Sequence, residues 1–583
     1  MMKYYLKNMM NRLNSEEETF LKNIYAPQVV AVPPSDACRQ MCVTENGDIY
    51  VFGINKWKRD GSIYISSNDC GLTWKKHLMP KNALGAATFN VKTGRYITTY
   101  SSEYRSDLDS FFSDGGTWVL FNDFGFCSDD NCFVKISEKN VHILKNPYYF
   151  ESIKRWFIVG EYTEPDFSKK YVVIFISNDE GKSWKEIDLK NSAPSFKTKY
   201  PHKGTRWQQY SCEPTLIQLS NGRLVIFVRT SQDYHYMYFS DDDGDSWSEP
   251  KATLFHATAT MPVLYKLDDG RIIFFWCNSQ PMPELNHNEA FPKLNESEIN
   301  GIWEDVFTNR DVNHLAISSD DMQSWRGFRE LYLNPIRNRA DFRSVGAPNE
   351  SWDKSVQQAQ MLELPFNKLL VIFGQNEVSR RIVILDVDWL YEKDRFENFQ
   401  FGLTNVSTQM YVKSNLGGFR GFSGHCAYNR TDGAMLVPDP SGNYKEVLQI
   451  CRVDDERLVY KKQGVVWNFP ATNRGIIETE LSVIGSGVRI SVTDRWLNPA
   501  DEYIKEEAYA SFEVTSKSDW RTITVEFDTE SAVIKITDGE NIQFLTAKGL
   551  APNGLCYLHI QTLAEKQDFE GTLIRSFKKT DLC

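Results

Sequence analysis

SDDDGDSWSEP, residues 240–250, is one of four near-copies of a single phrase in this 583-residue chain. SSNDCGLTWKK stands at 66–76, SNDEGKSWKE at 177–186 and SSDDMQSWR at 318–326. A β-rich run precedes each copy: GSIYI, KKYVVIFI, HYMYF and NHLAI. Each sets an Asp five residues before a Trp, pairing Asp69 with Trp74, Asp179 with Trp184, Asp242 with Trp247 and Asp320 with Trp325. That spacing suits a β-hairpin. The carboxylate can accept N–H bonds inside the turn, glycine supplies positive φ, and the indole packs back on the hairpin. The fourth copy has Met322 where the others have Gly71, Gly181 and Gly244, so its turn is expected to differ slightly.

Outward from these turns lies a second recurring pattern, an apolar strand, a turn and another apolar strand. It occurs at 41–53, 88–100, 148–160, 215–229, 263–276 and 361–374. Six such hairpins in about 360 residues fit a six-bladed β-propeller, whose four-stranded units bury their faces against one another. Beyond residue 400 the repeats stop, and alternating runs such as KEVLQICRV, VRISVTD and RTITVEFD point to a second all-β unit. The expected fold class is therefore all-β, a propeller followed by a C-terminal β-sandwich. The expected divisions are an N-terminal extension over 1–30, helical near 15–24, a propeller over 31–395 and a sandwich over 400–583.

The net charge of -11, with no basic run, argues against nucleic acid as a partner. No run of about 18 apolar residues occurs, so no membrane partner is expected, and without a visible signal peptide the chain reads as cytoplasmic. The 11 cysteines form no C-x-x-C pairs, and neither a metal nor a cofactor motif stands out. Aromatic residues reach 13%, a content that serves both sugar stacking and aromatic β-strands. Trp467, Trp496 and Trp520 in the second unit read as core residues. A homo-oligomer is compatible with the sequence.

The phrase Ser-x-Asp-x-Gly-x-Thr/Ser-Trp is the Asp-box, and four copies in a six-unit β array resemble the sialidase superfamily. That resemblance implies that Asp69, Asp179, Asp242 and Asp320 are structural, lying on a rim away from the active site. It also implies three arginines that clamp a substrate carboxylate, a Glu–Tyr nucleophile pair and an Asp acid/base. Arg39 in ACRQMCVTENG, Arg229 in NGRLVIFVRTS and Arg310 in TNRDVNHLAI stand at the arginine positions, and Glu213 lies sixteen residues before Arg229. Converging guanidiniums would form a bidentate carboxylate site.

The pattern then departs from the family. Where the tyrosine is expected the chain reads DKSVQQAQMLELP, with Gln357 or Gln358 nearest, and where the Asp is expected it has Ala86 and Ala87. A carboxylate pair becomes the alternative: Glu213 with Asp60, Asp353 or Asp341, all in loops that could face the mouth. His202, His235 and His256 could carry protons, although His235 alternates with aromatics like a strand-face residue. The expected activity is glycoside hydrolysis at a terminal acidic sugar, sialic or uronic, by a non-standard route. Two alternatives are a non-catalytic propeller that binds acidic glycans, with a lectin-like sandwich, and a lyase acting on uronates.

Overall fold

The computed structural model describes residues 3–34, 41–52, 63–78, 87–101, 115–122, 132–166, 169–193, 210–230, 232–258, 260–279, 310–339, 355–375, 378–412, 430–443, 445–515 and 517–582. Six four-stranded antiparallel sheets form blades, and all six hairpins found in the sequence are the first two strands of a blade. The blades begin with the inner strands Met41–Val43, Thr88–Asn90, Tyr148–Phe150, Cys212–Gln218, Val263–Lys266 and Ala359–Leu364. Several second and third strands, such as Lys170–Ser177, Leu224–Arg229, Ile272–Trp276 and Lys368–Phe373, are nearly continuous in large apolar residues, as strands covered on both faces must be. In Tyr171–Ile176, for example, every residue is buried.

The sixth blade takes three strands from the end of the ring and its outer strand, Gln28–Ala31, from the start of the chain. Gln28 pairs with Ile384 and Val29 with Val383, so the N-terminal segment closes the ring. Two helices precede that strand, α1 (Tyr4–Arg12) and α2 (Ser15–Asn23). The second begins on a capping box, in which Asn14 and Glu17 satisfy each other's backbone N–H groups.

Helix α1 and the residue before it sit across the lower ends of the inner strands. Lys3 Nζ donates to Tyr265 Oη (2.9 Å), the Lys266 carbonyl (2.8 Å) and Glu363 Oε2 (2.8 Å). Tyr4 donates to the Val43 carbonyl (3.2 Å) and its ring lies 5.5 Å from Phe89. Inner strands of blades one, two, five and six are thus tied to one short segment.

The Asp-box turns adopt one geometry. Asp179 Oδ1 accepts the Ser183 N–H (2.9 Å) and the Ser177 hydroxyl (2.8 Å), while Oδ2 accepts the Ser183 hydroxyl (2.6 Å). The same bonds surround Asp69, Asp242 and Asp320. Hydrogen bonds from Ser246 and Ser240 hold the Asp242 carboxyl down to about 2. The fourth turn differs slightly, as expected: Trp74, Trp184 and Trp247 each donate Nε1–H to the glycine carbonyl, and among the described residues Trp325 makes no such bond to Met322. Met322 takes φ +69 and its N–H bonds Ser318 Oγ (2.9 Å), as the glycine N–H does elsewhere. The left-handed strain this imposes on a methionine is offset by packing, because its side chain lies against the core between blades four and five.

The C-terminal unit is a sandwich of an eight-stranded and a five-stranded sheet around a core that includes Trp467, Phe469, Ile490 and Phe577. Trp467 and Trp496 are fully buried. Trp520 departs from the core reading, since it is only half-buried and Arg575 stacks 3.7 Å from its ring centre. Blade five and the sandwich share one apolar cluster, with Phe274, Trp276 and Phe328 on one side and Val466, Trp496, Cys556 and Tyr557 on the other.

Candidate active site at the propeller mouth

In an antiparallel four-strand blade the first and third strands run the same way. The start of the first, the end of the second and the start of the third therefore share one face of the ring. On that face lie Glu213, near the start of Cys212–Gln218, and Arg229, the last residue of Leu224–Arg229. Gln358 directly precedes Ala359–Leu364, and Arg310 lies just before Val312–Ser318. The Asp-boxes follow third strands, so they occupy the opposite face.

The structure brings Glu213, Arg229 and Gln358 together from blades four and six. Arg229 Nη1 lies 3.2 Å from Glu213 Oε2, and Gln358 Nε2 donates to Glu213 Oε1 at 3.4 Å. All three residues are buried. Glu213 has φ +49 and Gln358 has φ +63, the left-handed region that costs a side-chain-bearing residue about 1–3 kcal/mol. Glu213 also sits where the pairing with the second strand shifts register between Cys212 and Thr215. A bulge of this kind turns a side chain out of the regular alternation. Two strained residues thus meet side chain to side chain on the mouth face of the ring.

Around this trio lies a group that the sequence reading did not single out. The Glu213 N–H donates to Glu161 Oε2, and Glu161 Oε1 contacts His142 Nδ1 (3.0 Å) and Lys170 Nζ (3.3 Å). Burial alone would raise the Glu161 carboxyl, but Lys170, His142 and the Glu213 N–H together hold it well below the usual carboxylate range. Glu161 is thus an ionised acceptor that fixes the strained backbone of Glu213. Its position was readable: Glu161 lies at the end of a second strand, as Arg229 does, one residue beyond the hairpin at 148–160. Burial opposes the charge on Arg229, yet Tyr210, Glu213 and Cys212 outweigh it and hold the guanidinium pKa above normal. The Tyr210 ring centre lies 5.9 Å from that guanidinium, and burial pushes its hydroxyl well up.

The remaining candidates fall elsewhere. Gln357 is turned away from Glu213 and donates to the Val312 carbonyl (2.9 Å), so of the two glutamines it is Gln358 that meets the glutamate. Arg310 is buried and joined to the sixth blade through its carbonyl, which accepts the Val356 N–H (3.1 Å). Its neighbour Asp311 is wholly buried, accepts a hydrogen bond from Tyr411 Oη (2.6 Å) and forms an ion pair with Arg430 Nη2 (2.7 Å), both from the C-terminal unit. Ala87 is buried, with its carbonyl bonded by Asn146 (3.1 Å).

Of the three candidate histidines, His235 and His256 are placed away from the Glu213 group. His235 is a strand-face residue, its ring against Phe274, and burial pushes its pKa down to about 3. His256 contacts Asp494 of the sandwich at 3.0 Å, on the outer strand of its blade. Arg39, Asp60, Ala86, His202, Asp341 and Asp353 lie outside the described residues. Among the described residues no three His, Cys, Asp or Glu side chains gather as a metal ion would require.

Residues 134–339 match the family model of the BNR repeat-like domain. No curated protein matches the chain. Among solved structures, a protein of unknown function from Dyadobacter fermentans is similar at 14% identity, covering 62% of this chain and 97% of its own, with a TM-score of 0.37. A Trypanosoma rangeli sialidase mutant displaying trans-sialidase activity is similar at 12% identity over 96% of this chain and 94% of its own, with a TM-score of 0.35. An exo-beta-1,3-galactanase from Phanerochaete chrysosporium is similar at 9% identity over 95% of this chain and 100% of its own, with a TM-score of 0.31. Such low scores carry no residue roles or chemistry across. The BNR match and the four Asp-box turns are consistent with a sialidase-like superfamily propeller.

Proposed function

We propose that this propeller is a glycoside hydrolase that removes a terminal acidic sugar, sialic or uronic, from a glycan or glycoside. The observation that carries the reading is the buried Glu213–Arg229–Gln358 group at the mouth, built on two strained residues. In this reading Arg229 recognises the sugar carboxylate, as a guanidinium held charged in a buried site can. Arg39 and Arg310 complete the clamp.

Gln358 occupies the place where the resembled family has its tyrosine, and an amide is not a nucleophile at neutral pH. The reaction proposed is therefore a single displacement. Glu213 takes a proton from water as the water oxygen bonds to the anomeric carbon. The glycosidic C–O bond breaks on the opposite face, and its leaving oxygen receives a proton from an acid, for which Asp60 and Asp353 are the candidates. Glu161 positions Glu213 through its backbone.

The test uses 4-methylumbelliferyl glycosides of N-acetylneuraminic acid and of glucuronic acid. Glu213→Gln is expected to reduce turnover by at least about 10²-fold with the fold intact, the usual scale for a general base. Arg229→Ala is expected chiefly to raise KM. Wild-type activity in Glu213→Gln would refute the mechanism. Gln358 favours one second reading, a propeller that binds the acidic sugar without cleaving it. Saturable binding of either sugar with no product after prolonged incubation would establish that reading instead.

A further inference from the structure

The seam between blade five and the sandwich holds a cavity of about 600 Å³, within the size range of sites that take small molecules. It is separate from the mouth, being walled by the outer strand of blade five (Arg326–Leu333), the turn after it and residues 403–405. Its charged groups are Glu330, Arg337, Arg339 and Arg395.

Each charged group has a distinct state. Arg337 is the floor: Nη1 donates to the Asn334 carbonyl (2.9 Å), and Nη2 to those of Leu403, Thr404 and Val406 (3.1, 2.8 and 2.6 Å). Arg395 is anchored through Nη1 on the Asn468 carbonyl (2.8 Å), and Arg339 is exposed at the rim. Glu330 Oε1 accepts Tyr557 Oη (2.8 Å), whereas its Oε2 is buried and has no hydrogen-bond partner among the described residues. A buried carboxyl oxygen left unpaired is costly, so a partner for it is expected.

Positive charge is crowded here. Burial first, and then the nearby Arg395, push the Arg329 pKa down to about 10; burial also brings Arg337 down to about 10. Burial raises the Glu330 carboxyl, against the opposing pull of Arg395, the Tyr557 hydroxyl and Arg337. The seam thus presents donors and net positive charge, which calls for an anion with several acceptor oxygens. Leu331, Leu333, Pro335 and Leu403 form apolar wall that a bare inorganic anion would leave uncovered.

We propose that this seam cavity is a second binding site, taking a carboxylate-bearing sugar whose carboxylate meets Arg395, whose hydroxyl donates to the unpaired Glu330 Oε2 and whose ring covers the leucine and proline wall. The site is independent of the mouth, and its test is made with the mouth disabled. In the full-length Glu213→Gln/Arg229→Met protein both charges of the mouth pair are removed together, a replacement buried pairs tolerate better than loss of one partner. Isothermal titration of that protein with D-glucuronate, D-glucose and inorganic phosphate is the measurement, with folding checked by near-ultraviolet circular dichroism.

D-glucuronate is expected to bind at one site per chain, more tightly than either D-glucose or phosphate. Adding Arg395→Gln is expected to weaken it about tenfold or more, the scale of a lost charge-assisted hydrogen bond. Arg339→Gln, at an exposed rim position, is expected to weaken it less. Absence of glucuronate binding in the mouth-disabled protein overturns the proposal, as does binding unchanged by both arginine substitutions. Phosphate binding as tight as that of glucuronate overturns the sugar assignment. None of these outcomes bears on turnover at the mouth, so the two readings fail separately.

Discussion

Glu213 and Gln358 show what a sequence can and cannot disclose about one residue. The sixteen-residue spacing from Glu213 to Arg229 is local to one hairpin, so it was legible. Which of two adjacent glutamines meets Glu213 depends on a positive φ at Gln358, which no alternation pattern encodes. Burial at single residues also sets the response to pH. His235, His314 and His559 are buried, and burial pushes them down to about 3, 3 and 4, below the ordinary histidine value near 6.5. Between about pH 4 and 6.5 the unfolded chain therefore binds protons that the native protein does not, so stability is complete above 6.5 and falls with acidification. Each histidine contributes a slope of about 1.4 kcal/mol per pH unit. Asp501, which burial pushes up to about 7, opposes this, since it binds its proton in the native state across the same window. The expected result is a urea midpoint that declines from pH 7 to pH 5. His235→Phe, which keeps the contact with Phe274, should make that decline shallower, and an identical slope in the variant would refute the assignment.

The Asp-box turn, legible as a motif, has an additional role at the scale of elements. A Cβ placed on Gly244 would lie 2.7 Å from Phe157 of blade three, and one on Gly181 would lie 2.9 Å from Phe121 of blade two. One on Gly71 would lie 2.6 Å from Leu370 of blade six. The glycine that permits the turn is also the point where each blade meets the one before it. Gly244→Ala thus combines left-handed strain with a clash against an aromatic ring, for a loss of about 2–4 kcal/mol. Denaturant unfolding should show that loss while mouth chemistry is retained. Blade six has no Asp-box for a physical reason: its third strand, Arg381–Asp386, pairs with a strand from the N-terminus, so no turn to a fourth strand exists.

Over the whole molecule, the strands and their grouping into two β units followed from alternation and repeat. The seam did not. Trp276 and Trp496 lie 220 positions apart in sequence, and nothing in either neighbourhood signals the other. Phe274, Trp276 and Phe328 need the sandwich to cover them, and the parallel bridge from Ser279 to Trp496 extends the same contact. A chain ended after residue 395 should therefore be poorly soluble and bind an apolar dye, whereas the full chain should unfold in one cooperative transition. A well-folded, dye-silent propeller fragment would show instead that the two units are energetically separate. The group formed by Asp311, Tyr411 and Arg430 makes the same point for polar contacts: three residues unremarkable in sequence meet fully buried beside Arg310.

The strand Gln28–Ala31 has a consequence for biosynthesis. Its partner, Arg381–Asp386, is made some 350 residues later, so during translation the first strand must wait with its edge unpaired. A nascent chain of five blades is an open arc with two sticky ends, and the cradle that holds Lys3, formed by Tyr265 and Glu363, is incomplete until the sixth blade emerges. Long-range closure of this kind is slow and leaves strand edges available to other chains. Yield from the ribosome should therefore depend on chaperone supply more steeply than the stability of the finished ring would suggest.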